Sequence, residues 1–294
     1  MTGARAVEGC RGRCARGGNR APRGAADVTL VVNTFERNAS RVLSGGFFRE
    51  IERRNNHAFA ERILLINNVG DLQGVLSKAR SLIADGELTS AHVVEDHLDE
   101  VLARVEVPKA ELGRVLHYSD YAFVAPFVTS TQYLLYWDEG VFPARTEDWV
   151  TASVSLLASD HRVFCATLRP CWWDPSAELT VGGRAGFAFG YGFSDQVFLT
   201  RTDELRSPIY GERCAASARY PLSHVSAVFE ERVDAYMRRH RRYRAVHLDS
   251  LYEHEGRAWY WPDNMAEAVR FLQKRLTSRA AKLNPVRSNP AWKV

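Results

Sequence analysis

An α/β fold, with a mostly parallel central sheet flanked by helices, is what this sequence predicts, on three observations. Short apolar runs of strand size alternate with helix-spaced segments through the first hundred residues. Those runs stop abruptly in polar clusters, as the ends of buried strands do in crossover architectures. The chain has 294 residues, 46% of them hydrophobic and 25% charged, which is enough to build a large core. That composition excludes disorder, collagen and coiled coil as descriptions of the whole chain. The longest apolar stretches, Val28–Val32 and Ile63–Ile66, fall far short of the roughly 20 residues a membrane helix needs, so no transmembrane segment is expected.

The elements follow in chain order. Asp27–Asn33 (DVTLVVN) is a β-prone run that ends in Thr34-Phe35-Glu36-Arg37-Asn38. Residues 41–60 carry Val42, Phe47, Phe48, Ile51 and Phe59 at helical spacing. Glu61–Asn67 reads as a second buried strand, stopped by Asn67-Asn68-Val69-Gly70-Asp71, and a helix is expected over Leu72–Ala84. A weaker strand is placed at His92–Glu95 or Val101–Val105. Thr131–Trp137 (TQYLLYW) is almost continuously apolar and runs into Asp138-Glu139. Trp149–Leu157 reads as helix, Val163–Leu168 and Gln196–Arg201 as strands, and the Gly- and Phe-rich segment 182–193 as a mobile loop by composition. Phe229–Arg239 is helical, Arg244–Leu248 a strand, and Met265–Leu276 a terminal helix. In open sheets of this kind ligands bind beyond the carboxyl ends of the strands, where the clusters after Asn33 and Ile66 fall.

The formal net charge of +4 is local. Residues 1–26 hold six arginines and one acid, leaving about −1 for the rest, so no nucleic-acid partner is expected. This segment, and the end from Asn284, are expected to be loose tails around one domain over 27–283. The five cysteines form no CxxC pair, and without an apolar leader they read as free thiols in a reducing, cytoplasmic compartment.

Several clusters carry chemical potential, each beside a plainer reading. Asp138 and Glu139 at a strand end would hold a divalent cation and, through it, a diphosphate; acids are also common in solvated turns. Phe35 with Thr34 and Glu36 would stack on and read a nucleotide base, or Phe35 is core and its neighbours are loop. Glu230 or Glu231 would act as a general base, only one facing a site because adjacent helical residues point about 100° apart; acids at a helix start are frequent in any case. His254 is a metal or phosphate ligand, or a surface histidine. The run 238–242 attracts anions or caps a helix end.

In order, VTLVVNTFERN, ERILLINNVGD, YLLYWDEG, a Gly-rich loop, FEERVDAYMR and a late histidine resemble the GT-A-fold glycosyltransferases, particularly the inverting, family-2-like group, over about residues 27–260. The resemblance implies a Rossmann-like GT-A fold and sugar transfer from a nucleotide-diphosphate donor, a UDP-sugar being favoured, to a glycan or other hydroxyl acceptor. It implies Thr34, Phe35, Glu36, Asn67 and Asp138 at the nucleotide, and Asp138, Glu139 and His254 around Mn²⁺ or Mg²⁺. It implies Glu231 as base with Glu230 second, Asp195 at the acceptor, and the 182–194 segment as a lid. Asn67 stands where the family usually has Asp, Asp-Glu-Gly replaces Asp-x-Asp, and Glu-Glu replaces Glu-Asp. The competing readings are a nucleotidyltransferase, disfavoured by the lack of a Gly-rich phosphate loop with Lys after the first strand, and a non-catalytic glycan- or nucleotide-binding relative.

Overall fold

The computed structural model describes residues 27–171 and 181–254. The expected tails, the helix around Met265–Leu276, and Cys10 and Cys14 lie outside the described residues.

Three strands open the chain: β1 (Val28–Thr34), β2 (Glu61–Ile66) and β3 (Ser90–Val93). Between β1 and β2 the expected helix is broken into α1 (Ala39–Val42) and α2 (Phe47–Asn55). Gly45 and Gly46 cause the break, with φ of 76° and 81°, a conformation that disfavours any side chain. Buried Glu87 then caps α2, accepting the Gly46 N–H at 2.7 Å and the Phe48 N–H at 3.1 Å. α3 (Leu72–Ala84) forms as expected, its Asp71 N-cap accepting the Gly74 N–H.

The third strand occupies Ser90–Val93, and Val101–Val105 belongs instead to the end of α4 (Val94–Arg104). Val94, Leu98, Val101 and Leu102 bury one stripe of that helix, and Glu95 and Asp96 suit its positive end. A helix with no amphipathic signature in the sequence, α5 (Leu116–Val128), follows a 3-10 turn at Lys109–Val115. Ser119–Pro126 is buried without interruption, so α5 shows no apolar–polar periodicity to detect.

The remainder comprises β4 (Tyr133–Trp137), β5 (Val141–Pro143), α6 (Trp149–Ser159), β6 (Val163–Pro170), β7 (Gly182–Arg184), β8 (Phe187–Gly190), β9 (Val197–Arg201), α7 (Thr202–Arg206), α8 (Phe229–Arg239) and β10 (Tyr243–His254). The Gly-rich segment thus contains a hairpin, β7–β8. Its β8 pairs antiparallel with β10 from Arg244↔Gly190 to His247↔Phe187, which buries Phe187.

All ten strands form one sheet ordered β3-β2-β1-β4-β9-β6-β10-β8-β7, with β5 paired to β10. β3, β2, β1 and β4 are mutually parallel, β9 runs against both β4 and β6, and β10 resumes the parallel sense beside β6. The architecture is therefore α/β with a mostly parallel sheet. Val28, Leu30 and Val32 face one apolar cluster with α2, α3 and α6, and Val31 faces a second with α4, α5 and α8. Strands covered on both faces read as unbroken apolar runs, which is why YLLYW lacks alternation. No helix among the described residues is long and apolar enough to cross a membrane.

This topology gathers one edge. The carboxyl ends of β1, β2, β4, β6 and β10 and the start of β9 all lie there.

Leu135 is fully enclosed between β1 and β9. Leu135→Ala is expected to destabilise the fold by about 2–5 kcal/mol, read as a lowered urea midpoint with an unchanged transition slope.

Candidate active site

The gathered edge is built first by β1. Thr34 is fully buried and donates its hydroxyl to Asn38 Oδ1 at 2.9 Å, while the Phe35 N–H donates to the same oxygen at 2.7 Å. The Asn38 amide returns to the Asn33 carbonyl at 3.3 Å and also bonds the Glu139 carboxyl. One side chain thereby ties the end of β1 to the end of β4. Thr34 shapes the turn from within, Phe35 is half-buried, and exposed Glu36 accepts the Gly70 N–H at 2.7 Å, joining the first cluster to the second.

Asn67, just past β2, donates its backbone N–H to the Thr34 carbonyl at 2.8 Å. Its amide nitrogen donates to Asp120 Oδ1 at 2.7 Å and to the His117 carbonyl at 3.3 Å, both on α5. Here lies a physical reason for Asn at this position: a carboxylate at 67 would face the Asp120 carboxylate, whereas an amide donates to it. Burial holds the Asp120 carboxyl above its ordinary range, against hydrogen bonds from His117, Tyr121 and Asn67.

β4 delivers Asp138. Its N–H donates to the Gln196 carbonyl at 2.7 Å, continuing the β4–β9 pairing one step past the strands. Its Oδ1 accepts the Gly140 N–H at 2.8 Å and lies 2.9 Å from His254 Nε2. The histidine arrives because β10 pairs with β5, the strand that immediately follows Asp138-Glu139-Gly140, in the register His254↔Val141. Residues 116 apart in the chain are brought into contact by strand pairing alone.

Asp195 precedes β9 and is set by its loop. Gly192 has a φ of 132°, and a Cβ there would stand 3.0 Å from Arg219 Nη2 and 3.1 Å from Arg244 Cζ, so only glycine lets the chain lie over these guanidiniums. The Phe193 N–H donates to the Tyr220 hydroxyl at 2.7 Å, and the Tyr252 hydroxyl bonds Gln196 Oε1 at 2.7 Å.

α8 supplies Glu230, in its first turn and 2% exposed. The Phe229 N–H donates to the hydroxyl of buried Ser119 at 3.1 Å, so α5 itself caps α8 and sets Glu230 beside the preceding residue, Tyr118. The Tyr118 hydroxyl donates to Glu230 Oε1 at 3.2 Å, and the Tyr121 hydroxyl, one turn on, is 3.4 Å from Asp195 Oδ2. Glu231 lies about 100° round the helix, and its charge acts on the buried Arg232 guanidinium.

Asp138, Glu139 and Asp195 therefore form one electrostatic group that extends to Glu230. Burial, then the Asp138 charge, pushes Glu139 up to about 7, while the Asn38 hydrogen bond and the His254 charge pull it back. Burial and the Asp138 charge lift Asp195 to about 6, against hydrogen bonds from Glu230 and Tyr118. Burial, then the Asp195 charge, holds Glu230 well above the carboxylate range. Burial opposes charge on His254, but the Asp138 hydrogen bond and the charges of Asp138, Glu139 and Asp195 outweigh it and raise its pKa.

Among the described residues no three His, Cys, Asp or Glu side chains form a cage for a metal ion. Asp138, Glu139 and His254 are adjacent, yet the Glu139 carboxyl is tied to Asn38. Two donors do suit a cation: Asp138 Oδ1 and His254 Nε2 stand 2.9 Å apart, close to the ~3 Å that separates neighbouring ligands of an octahedral ion bound at about 2.1 Å.

No protein-family model and no curated protein matches the chain. Solved structures do. The chain is similar to S. aureus TarS residues 1–349, with 10% identity over 90% of this chain and 76% of that one, at a TM-score of 0.42. It is similar to glucosyl-3-phosphoglycerate synthase from Mycobacterium tuberculosis in complex with Mn²⁺, UDP and glucosyl-3-phosphoglycerate, with 11% identity over 88% and 81% of the two chains, at 0.42. It is also similar to GalNAc-T7 with UDP, GalNAc and Mn²⁺, with 12% identity over 81% of this chain and 44% of that one, at 0.43. The latter two of these structures hold UDP and Mn²⁺.

Of the residues expected at the site, Asp138, Glu139, Asp195, Glu230 and His254 act on one another, whereas Glu231, the expected base, is not among the main groups acting on Asp195. Tyr118, Asp120, Tyr121 and Gln196 join the site without a sequence motif of their own, and Asn38 holds it from within the cluster after the first strand. The signal for the α5 residues was Ser119-Asp120 inside an otherwise apolar run, polar groups that a buried helix keeps only with partners.

A pH dependence follows. Glu139, Asp195 and Glu230 bind protons in the folded chain at a pH where their unfolded counterparts, near 4.5 for Glu and 3.8 for Asp, are already ionised. The folded state holds more protons between about pH 4.5 and 7, so stability falls as pH rises through that window. Raised His254 acts in the same direction. His57 and His92, whose pKa values burial lowers, act the other way, so the test is a difference. Asp195→Asn is expected to shift the change in melting temperature between pH 5 and pH 7.5 toward a rise relative to wild type, and equal profiles contradict the assignment.

Proposed function

We propose that this chain is a GT-A-type glycosyltransferase that moves a sugar from a nucleoside-diphosphate donor, with a UDP-sugar favoured, to a hydroxyl acceptor with inversion. The observation that supports this best is the convergence of Asp138, Glu139, Asp195, Glu230 and His254, drawn from β4, the loop before β9, α8 and β10, at the carboxyl edge of the sheet. A structural turn has no need of four carboxyls so close that burial and mutual charge keep three of them partly protonated.

In this reading the turn after β1 and the Asn67 cluster flank the nucleotide. Half-buried Phe35 offers a stacking face and Glu36 an edge contact, while Thr34 and Asn38 keep the turn in shape. Asp138 and His254 would hold a divalent cation, which when bound neutralises charge on the departing diphosphate. Sugar transfer forms a bond from the acceptor oxygen to the anomeric carbon and breaks the glycosyl–phosphate bond, whose electron pair leaves with the diphosphate. In this reading the acceptor proton passes to the Asp195–Glu230 pair, which comes from other elements than Asp138 and His254. Glu230 takes this role in preference to Glu231 because it is Glu230 that meets Asp195. The β7–β8 hairpin and the loop to Asp195 are the acceptor-side wall.

One observation favours a second reading, a non-catalytic glycan- or nucleotide-binding relative: Asp138 Oδ1 is already engaged by Gly140 and His254. Turnover separates the two.

UDP with Mn²⁺ is expected to raise the melting temperature more than UDP alone, because a ligand that binds only the native state stabilises it. Asp138→Asn and Glu230→Gln are each expected to lower sugar transfer by at least roughly 100-fold at unchanged folding, measured as UDP release dependent on acceptor. Transfer within threefold of wild type in both variants overturns the reading.

A further inference from the structure

The cluster after β2 is anchored by a buried carboxyl that the proposed sugar transfer does not use. Three donors converge on Asp120: the Asn67 amide nitrogen and the Tyr121 N–H, each at 2.7 Å from Oδ1, and His117 Nδ1 at 2.9 Å from Oδ2. A carboxyl is costly to bury unless such bonds satisfy it. Here the second oxygen is spent on an imidazole whose side chain is 57% exposed. An exposed ring adds little to the core, so the main effect of this bond is on the ring itself. A carboxylate that holds one nitrogen of a histidine sets the tautomer and the aim of the other.

The backbone places that ring. The His117 carbonyl accepts the Asn67 amide at 3.3 Å, which ties the first turn of α5 to the end of β2. The next residue, Tyr118, lies about 100° round the helix and donates to Glu230 Oε1 at 3.2 Å. The first turn of α5 therefore spans from the Asn67 cluster to the carboxyls of the transfer site, with His117 at the Asn67 end.

The hydrogen-bond inventory then selects a ligand. An ionised carboxylate only accepts, so Nδ1 carries the hydrogen and the neutral ring presents Nε2 as an acceptor. Nε2 has no partner among the described residues. Both hydrogens of the Asn67 amide are spent on α5, which leaves Asn67 Oδ1 as an acceptor too. Two neutral acceptors side by side suit the N–H and O–H groups of a nucleoside and offer nothing to a phosphate oxygen. The geometry points to His117 as a nucleotide-binding residue: its Nε2, aimed by Asp120, accepts a hydrogen bond from the nucleoside of the bound sugar nucleotide, from a base N–H or a ribose hydroxyl.

This inference rests on the glycosyltransferase reading for the identity of the ligand, but its test is binding and needs no transfer. UDP with Mn²⁺ is titrated calorimetrically into wild type, His117→Asn and His117→Ala at pH 8. Asparagine keeps an amide N–H near the position of Nδ1, and with it the Asp120 bond, but places nothing near Nε2. His117→Asn is expected to keep the wild-type melting temperature and to bind UDP about three- to tenfold more weakly, the effect of losing one neutral hydrogen bond. Three analogues locate the bond: 3-methyl-UDP lacks the base N–H, and 2′-deoxy-UDP and 3′-deoxy-UDP each lack one ribose hydroxyl. One of them is expected to bind wild type more weakly than UDP does and His117→Asn no more weakly, the coupling that marks a direct contact.

Equal UDP affinity in His117→Asn and wild type overturns the proposal. So does a loss confined to His117→Ala, which leaves the ring only the task of satisfying Asp120, and so do analogue losses identical in the two proteins. If UDP binding depends on His117 but no acceptor releases UDP from a UDP-sugar, the glycosyltransferase reading alone falls. If wild type binds no nucleoside diphosphate, both fall.

Discussion

The antiparallel pairing of β4 with β9 is the constraint on which the rest depends. It sets Trp137 opposite Val197 and carries one further hydrogen bond, from the Asp138 N–H to the Gln196 carbonyl. That bond fixes the ends of both segments at the same level, so a residue leaving β4 and a residue entering β9 share one small volume. Reversing a single strand in an otherwise parallel half-sheet is what allows this, since parallel neighbours would put the start of one strand at the far edge from the end of the other. The pairing of β5 with β10 repeats the device and brings His254 to Asp138.

Once the strands are fixed, electrostatics follow from burial. Carboxyls enclosed by apolar strands and α5 lose hydration, and they answer by holding protons or by binding a cation. The fold tolerates this because neutral donors surround them: the Asn38 amide, the Gly140 N–H and the phenols of Tyr118 and Tyr121. The arrangement is strained electrostatically and leaves Glu230 Oε2 and His254 Nδ1 buried without a hydrogen-bond partner, which is the condition under which a site responds to a charged ligand.

Much of this was readable in the linear chain. The strands from Val28, Glu61, Tyr133 and Val163 and the helices at Leu72 and Phe229 declare themselves, because burial on two faces and burial of one stripe leave different periodicities. Asp138 stood out as an acid ending a buried run. Less visible were α5, whose all-round burial erases the helical period, and the β7–β8 hairpin, whose glycines read as a loop until β10 pairs with it. Val101–Val105 was ambiguous for the opposite reason: five residues rich in valine suit a strand locally, and only packing of the preceding turns against α5 makes them helical.

By itself, then, the order of residues determined the fold class, the sites where strands end, and the chemical types waiting at those ends, because local hydrophobic pattern and turn chemistry act over a few residues. Only the tertiary structure decided that Glu230 rather than Glu231 meets Asp195, that Asn67 is an amide for the sake of Asp120, and that two tyrosines from an unremarked helix stand over the carboxyl pair. Those choices turn on angles of about 100° around a helix and on contacts between residues tens of positions apart, and no local pattern encodes which side of a helix its neighbours will cover.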